Sequence, residues 1–232
     1  MSADPLVDPM LARCGVLHGF GVRGSVAPEG CLRPRQVHGA KVAREEEWHA
    51  SHPAPEADAV VASRPGAVVG VVTADCVPIL LAAPEGAGVA AVHAGWRGLA
   101  RGVVREGVEE LVRASGMHAA GIVAAVGPHI GACCYEIDAP VLDSLRAELG
   151  SAAMENATGV RSDHWMLDLG ALVALALERA GLPRAAIGTA AARCTACDRE
   201  RFHSYRRDGV RAGRLVHFAV VPHPSGGNRG EA

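Results

Sequence analysis

Short, uninterrupted apolar runs punctuate this chain at Val68–Val72, Val77–Ala82, Val89–His93 and Ile122–Val126, and two more follow at Ile187–Arg193 and Arg214–Val221. Runs of this length, rich in valine and bounded by turn residues, predict strands buried on both faces. Three other stretches change to a helical period. Leu99–Ala114 carries apolar residues at 99, 103, 104, 108, 111 and 112, with Gly116 placed to end it. Asp138 is positioned to cap a helix over Pro140–Leu149, and Asp168 one over Leu169–Ala180 that Gly181 and Pro183 close. Strands outnumber helices and two of them form a hairpin, which argues against a strictly alternating parallel sheet. The expected class is α+β, a mixed β-sheet core flanked by helices. Residues 1–221 are read as a single domain and 222–232, polar and rich in Pro and Gly, as a flexible tail.

The hairpin carries the chemistry. Pro84–Gly88 supplies a turn between Val77–Ala82 and Val89–His93. The register expected places Cys76 opposite His93, Pro78 opposite Ala91 and Leu80 opposite Val89. Residues so paired have Cβ atoms roughly 4.5–5.5 Å apart, close enough for a thiolate and an imidazole to share one metal ion, unless a bulge shifts the register. Two ligands hold zinc poorly. A third is sought in Gln36-Val37-His38-Gly39, where His38 is either that ligand or an ordinary polar-loop histidine. Asp75 precedes the cysteine and is either a general base or a structural cap; strand alternation turns it to the opposite face unless the backbone kinks. After His93, Gly95 and Gly98 lead into the helix expected at Leu99, whose N-terminus, with Arg97 and Arg101, would welcome an anion.

Two cysteine pairs are read conservatively. Cys133-Cys134, in the Gly-rich stretch Gly127–Glu136, is expected to be a reduced, packed pair. Cys194-Thr195-Ala196-Cys197 has the spacing of a zinc knuckle but lacks a second Cys-x-x-Cys. Phe202–Gly209 is a polar turn whose two arginines suit ligand contact or a surface ion pair.

Composition narrows the classes. With 49% hydrophobic but only 3% aromatic residues, the core must be built from Ala, Val and Leu, so Trp96 and Tyr135, both in Gly-rich motifs, stand out as candidates for a pocket. A net charge of −2 gives no nucleic-acid or membrane footprint. The seven cysteines, an odd number, argue for reduced thiols rather than a disulfide framework. The first residues lack a signal-peptide pattern and no apolar run approaches the ~20 residues of a bilayer span, so a cytoplasmic location is the default expectation.

Together, Arg35-Gln36-Val37-His38-Gly39, Ala57-Asp58-Ala59, Pro65–Leu81 with Thr73-Ala74-Asp75-Cys76, His93–Gly98, Gly127–Glu136 and Ser204–Gly209 resemble the YfiH family, also called laccase-domain or polyphenol-oxidase-like proteins and regarded as purine nucleoside phosphorylases. The resemblance implies zinc, sometimes copper, held by His38, Cys76 and His93. It implies phosphorolysis of adenosine, inosine and methylthioadenosine, deamination of adenosine, and a mixed β core. Asp75, Cys76 and His93 are then the catalytic candidates, and Arg23, Gln36 and Arg97 the candidates for binding substrate or phosphate. The chain departs from the family pattern in one place: after Gly19-Phe20-Gly21-Val22-Arg23 only a short link, Gly24 to Pro34, precedes the Gln-x-His-Gly motif.

Three other functions compete. Cys76 could be a nucleophile with His93 as its base, in a metal-independent hydrolase or deamidase. A copper-dependent polyphenol oxidase is disfavoured because none of the 11 histidines forms a His-x-His pair. A catalytically degenerate metal-binding protein is the third.

Overall fold

A computed structural model describes residues 3–48 and 53–223. Most of the stretch read as a flexible tail, 224–232, lies outside the described residues. In chain order the strands are β1 (His18–Phe20), β2 (Val42–Arg44), β3 (Ala59–Ala62), β4 (Val68–Thr73), β5 (Val77–Ala82), β6 (Val89–Ala94), β7 (Val123–Val126), β8 (Glu136–Asp138), β9 (Ala157–Arg161), β10 (His164–Leu167), β11 (Ile187–Gly188) and β12 (Leu215–Val220). They form a six-stranded sheet ordered β11-β7-β5-β6-β3-β2 and two three-stranded sheets, β1-β12-β4 and β8-β10-β9. The large sheet is mixed: β2/β3 and β7/β11 run parallel, the remaining pairs antiparallel. The α+β class with a mixed sheet core is therefore the observed one.

Alternation along β5 explains why its sequence is apolar throughout. Ile79 and Leu81 pack with Val92 against Val104, Val108 and Leu111 of the helix Val103–Ser115 and against Leu145 and Leu172 of the helices Ala139–Leu149 and Leu169–Arg179. Leu80 and Ala82 point the other way, onto Val69 and Val71 of β4 and Ala219 of β12. The large sheet is thus covered by helices on one face and by a second sheet on the other, and its central strands meet no water. None of the helices is long and apolar enough to cross a membrane, among the described residues.

The helix expected over Leu99–Ala114 is instead two, Trp96–Leu99 and Val103–Ser115, parted at Gly102, whose φ of +80° is left-handed. The apolar period runs unbroken through that turn, so the pattern does not register the break. The expected ends are present: Gly116, at φ +70°, donates its N–H to Val112 O at 2.9 Å, and the Asp138 and Asp168 carboxylates cap Val141 N and Ala171 N. The strand expected over Ile187–Arg193 stops at Gly188. Beyond it the buried Asp8 carboxylate accepts the Ala190 N–H at 2.9 Å, and Ala192 N–H closes a turn onto Thr189 O.

The hairpin register is also corrected. Pro78 pairs with His93, Leu80 with Ala91 and Ala82 with Val89, two residues away from the expected pairing. The turn spans residues 83–88, closed by Ala83 N–H to Gly88 O at 2.9 Å, and is longer than the expected one. Cys76 therefore lies beyond the last pair, diagonal to His93 rather than opposite it. Because side chains alternate with period two, a slip of two leaves both on the same face.

Candidate metal centre and cleft

The site forms where β5 begins and β6 ends. His93, the penultimate residue of β6, is 3% exposed, and its Nδ1 lies 2.9 Å from Asp58 Oδ1. Asp58, fully buried just before β3, also accepts the N–H groups of Val37 at 3.2 Å, His38 at 2.9 Å and Gly39 at 2.7 Å. One carboxylate thus orients a histidine and shapes a loop. With Nδ1–H donated to Asp58, His93 presents Nε2 to the site. His38, held at φ +56°, is turned so that its ring meets the His93 ring edge-on, centroids 4.9 Å apart.

The ligand atoms of His38, Cys76 and His93 all lie within 4.8 Å of one another. Tetrahedral zinc, with Zn–N near 2.0–2.1 Å and Zn–S near 2.3 Å, sets its donors about 3.3–3.6 Å apart, a spacing within reach of small side-chain movements here. Two imidazoles and one thiolate are a donor set that fits a divalent ion, and all three side chains line one cleft. Burial would raise the Cys76 thiol above its ordinary value, but hydrogen bonds and positive charge from His38 and His93 bring it down to about 6. Burial would likewise lower His93, and Asp58 and the Cys76 thiolate carry it up to about 9. Without an ion the two side chains thus form a thiolate–imidazolium pair, and a divalent ion that took both as ligands would displace the His93 proton.

Gly95 makes this convergence possible. A Cβ there would stand 2.8 Å from Cys76 Sγ and 3.3 Å from His38 Cδ2. Gly95→Ala is expected to lower metal affinity at least about tenfold while leaving all three donors in the chain, the magnitude seen when ligands are mis-set rather than removed. Competition titration with a chromophoric chelator measures it; unchanged affinity would show that the donors have room to spare.

Asp75 does not face the three donors. Its backbone kinks, at φ +94°, yet its carboxylate turns away to accept Thr195 Oγ1–H at 2.6 Å, Ser204 Oγ–H at 3.1 Å and the Arg206 N–H at 2.6 Å. The general-base expectation thus meets a carboxylate already engaged in holding two distant loops.

The donors sit in the floor of a cleft of about 780 Å³, a size suited to a small-molecule ligand. Gln36 and Arg97 line it, as expected for binding residues. The Gln36 amide is, however, paired with both backbone groups of Val72, at 2.8 Å each, and braces the wall. The Arg97 guanidinium stacks 4.4 Å above the Trp96 ring. Arg23 is elsewhere: it donates to Phe202 O at 3.1 Å, lies 3.6 Å from Asp208, and shares a separate hollow with Arg199, His203 and Arg211. The anion site expected at a helix start is also revised, since only the single turn Trp96–Leu99 opens near the donors. Positive charge comes instead from guanidiniums. Arg206 and Arg214 join Arg97 in the lining, as does Arg35, which is ion-paired with Glu56; the one acid there, Asp75, has its carboxylate turned to Thr195, Ser204 and the Arg206 N–H. Arg35 and Arg214 were not visible as site residues in the sequence, and neither was the role of Asp58. The signal for Asp58 was present only as the short motif Ala57-Asp58-Ala59.

A family profile described as multi-copper polyphenol oxidoreductase laccase matches residues 22–222. A purine nucleoside phosphorylase of Xylella fastidiosa (strain 9a5c) is 40% identical over 191 residues, spanning 81% of this chain and 70% of that protein. Adenosine deaminase RL5, from an unknown prokaryotic organism, is 35% identical over 194 residues, spanning 79% of this chain and 72% of its own. The crystal structure of YlmD from Geobacillus stearothermophilus superimposes with a TM-score of 0.82 at 27% identity, covering 96% of this chain and 98% of YlmD.

Proposed function

Since the chain belongs to the YfiH family of laccase-domain proteins, we propose that it is a purine nucleoside phosphorylase for adenosine, inosine and methylthioadenosine that also deaminates adenosine. His38, Cys76 and His93 would hold the ion, zinc in preference to copper. The observation that carries the reading is the convergence of these three donors in the floor of a cleft walled by guanidiniums.

In phosphorolysis a phosphate oxygen forms a bond to ribose C1′ while the C1′–N9 bond breaks, and its electron pair leaves with the purine, which takes up a proton. Arg97 and Arg214 would bind and orient the phosphate through charge-assisted hydrogen bonds, while Arg206, whose two terminal nitrogens donate to Cys134 O and Glu136 O, would add positive charge to the wall. Trp96, Tyr135 and Tyr205 line the same cleft and offer ring faces to the base. Burial, first, and then the Cys76 charge push the Tyr135 phenol above its ordinary value, so it remains a proton-bearing donor to ribose or purine. A divalent ion, when bound, supplies Lewis-acid polarisation of an oxygen. Asp75 acts here as a positioning residue, holding the Arg206 backbone against the strand end that carries Cys76.

The test is product analysis. Adenosine should yield adenine and ribose 1-phosphate only when phosphate is present, inosine formation without phosphate reports deamination, and chelation should stop both. One further observation favours a second reading: a thiol brought down to about 6 beside an imidazole is also a nucleophile. Turnover that survives chelation and phosphate removal but ends on alkylation of Cys76 would replace the first reading with a Cys-His hydrolase.

A further inference from the structure

Four cysteines outside the cleft converge although no paired motif announces them. Residues His129 and Cys194 form a parallel bridge, in which His129 N–H donates to Arg193 O at 3.0 Å and Thr195 N–H to His129 O at 2.9 Å. That bridge zips the loop after β7 to the 194–197 loop. The Sγ atoms of Cys133, Cys134, Cys194 and Cys197 consequently all lie within 4.8 Å of one another. Cys197 Sγ is 3.5 Å from Cys133 Sγ and 3.4 Å from Cys134 Sγ, and the Gly131 N–H donates to Cys194 Sγ at 3.3 Å. The packed pair and the incomplete knuckle read from the sequence are two halves of one cluster.

We propose that these four cysteines are a second metal site, a closed tetrahedral Cys₄ centre that takes one zinc ion, separate from His38, Cys76 and His93. Zinc–sulfur bonds near 2.3 Å place the sulfurs of a tetrahedron about 3.8 Å apart; two of the spacings here, 3.4 and 3.5 Å, lie a few tenths of an ångström under that value and all four sulfurs lie within 4.8 Å of one another. A disulfide needs about 2.05 Å, and all four thiols are free. Iron–sulfur clusters distribute their thiolates over two or four irons and hold them farther apart than a single ion does.

Charge and hydrogen bonding agree with this assignment. Four thiolates around a divalent ion leave a net charge of −2, and their protons pass to solvent as the ion binds. Two guanidiniums lie against the same loops: Arg206 donates to Cys134 O at 3.1 Å, and Arg207 to Thr195 O at 3.0 Å and Ala196 O at 3.1 Å. The Gly131 N–H already points at a sulfur, the contact by which backbone stabilises a metal thiolate.

The role that follows is architectural, because four protein ligands leave no open position. The cluster is tied to the cleft through Asp75. Thr195 Oγ1–H and the Arg206 N–H donate to its carboxylate, and Ile130 N–H donates to its carbonyl at 2.9 Å. An ion in the cluster would lock the wall bearing Tyr135 and Arg206 to the residue preceding Cys76.

The decisive protein is the full chain carrying Cys76→Ala and His38→Ala, which removes two of the three cleft donors. Loaded with cobalt under reducing conditions, it is expected to bind one ion per chain, with the intense visible bands and thiolate charge transfer of tetrahedral sulfur coordination. Adding Cys194→Ser and Cys197→Ser should abolish that signature. Because those last changes can also unfold a metal-dependent loop, X-ray absorption on the zinc-loaded Cys76→Ala/His38→Ala protein gives an independent reading: four sulfur neighbours and no nitrogen. A folded Cys76→Ala/His38→Ala chain that binds no ion, whether its four cysteines titrate as free thiols or are found as disulfides, overturns the proposal. Since the measurement uses a chain without a working cleft, failure of the phosphorylase reading leaves it standing.

Discussion

Exchange of Cys76 for alanine is expected to reduce phosphorolysis by on the order of 1,000-fold or more, because it removes a direct ligand where losing a mere supporting group already costs 10–100-fold. The substitution takes away the only sulfur donor of the cleft trio and one of the two negative partners of His93. Two imidazoles remain, and two ligands hold a divalent ion weakly. Cys76→Ser keeps the shape but offers a hydroxyl that does not ionise near neutrality, so it should resemble alanine in activity. Activity, cleft-metal content and circular dichroism together check the result. A folded Cys76→Ala chain that turns over adenosine with phosphate at the wild-type rate would remove the three-donor site from the mechanism.

Asp58→Ala should do more damage to the fold than any substitution in the cleft itself. The carboxylate is fully buried and accepts three backbone N–H groups and the His93 ring. Burial alone would raise its pKa, but the bond to His93 and the backbone donors override that and hold it below the ordinary carboxylate range. Alanine removes the acceptor of the partly buried Val37, His38 and Gly39 N–H groups and of the buried His93 ring, and takes from His93 one of its two negative partners. Breaking a buried pair of this kind costs about 3–5 kcal/mol. For a chain of this size each kcal/mol lowers the melting temperature by roughly 2–4 °C, so a fall of about 6–20 °C is expected. Metal affinity should drop at least about tenfold in parallel, since His93 loses the bond that selects its tautomer. Asp58→Asn, which keeps one acceptor oxygen, should lie between alanine and wild type in both measurements. A melting temperature within 2 °C of wild type for Asp58→Ala, with normal metal affinity, would contradict this account of the site.

Most of the central strands are legible in the sequence because they are buried on both faces, where every position must be apolar; β3, equally buried, is not, since Ala59–Ala62 is only four residues long and follows Asp58. Val77–Ala82 was read residue for residue. β8, β9 and β10 were not, since their side chains are half exposed and polar groups interrupt any alternation. The helix break at Gly102 escaped because Leu99, Val103 and Val104 continue one apolar stripe across it. The hairpin register was missed by two because turn length depends on how residues 83–88 close, and composition does not encode it.

Facing, by contrast, was legible. A period of two is insensitive to a slip of two, and so the nearness of Cys76 and His93 was read correctly from an incorrect pairing. What the sequence withheld at the site is supplied by backbone. Asp58 is held by N–H groups, which no motif records. Arg23 was drawn to the cleft by its place near a matching segment, while its guanidinium is occupied by Phe202 O and Asp208. The four cysteines meet only because the bridge between His129 and Cys194 joins loops 60 or more residues apart in the chain.

The hairpin's long turn has a practical side. Six residues of β5, at about 3.4 Å each, put it roughly 20 Å from the donor-bearing end. Its tip, Glu85, is exposed and already left-handed, at φ +58°. A reporter peptide grafted between Glu85 and Gly86, or new chain ends opened there by circular permutation, would leave the reacting end of the hairpin untouched.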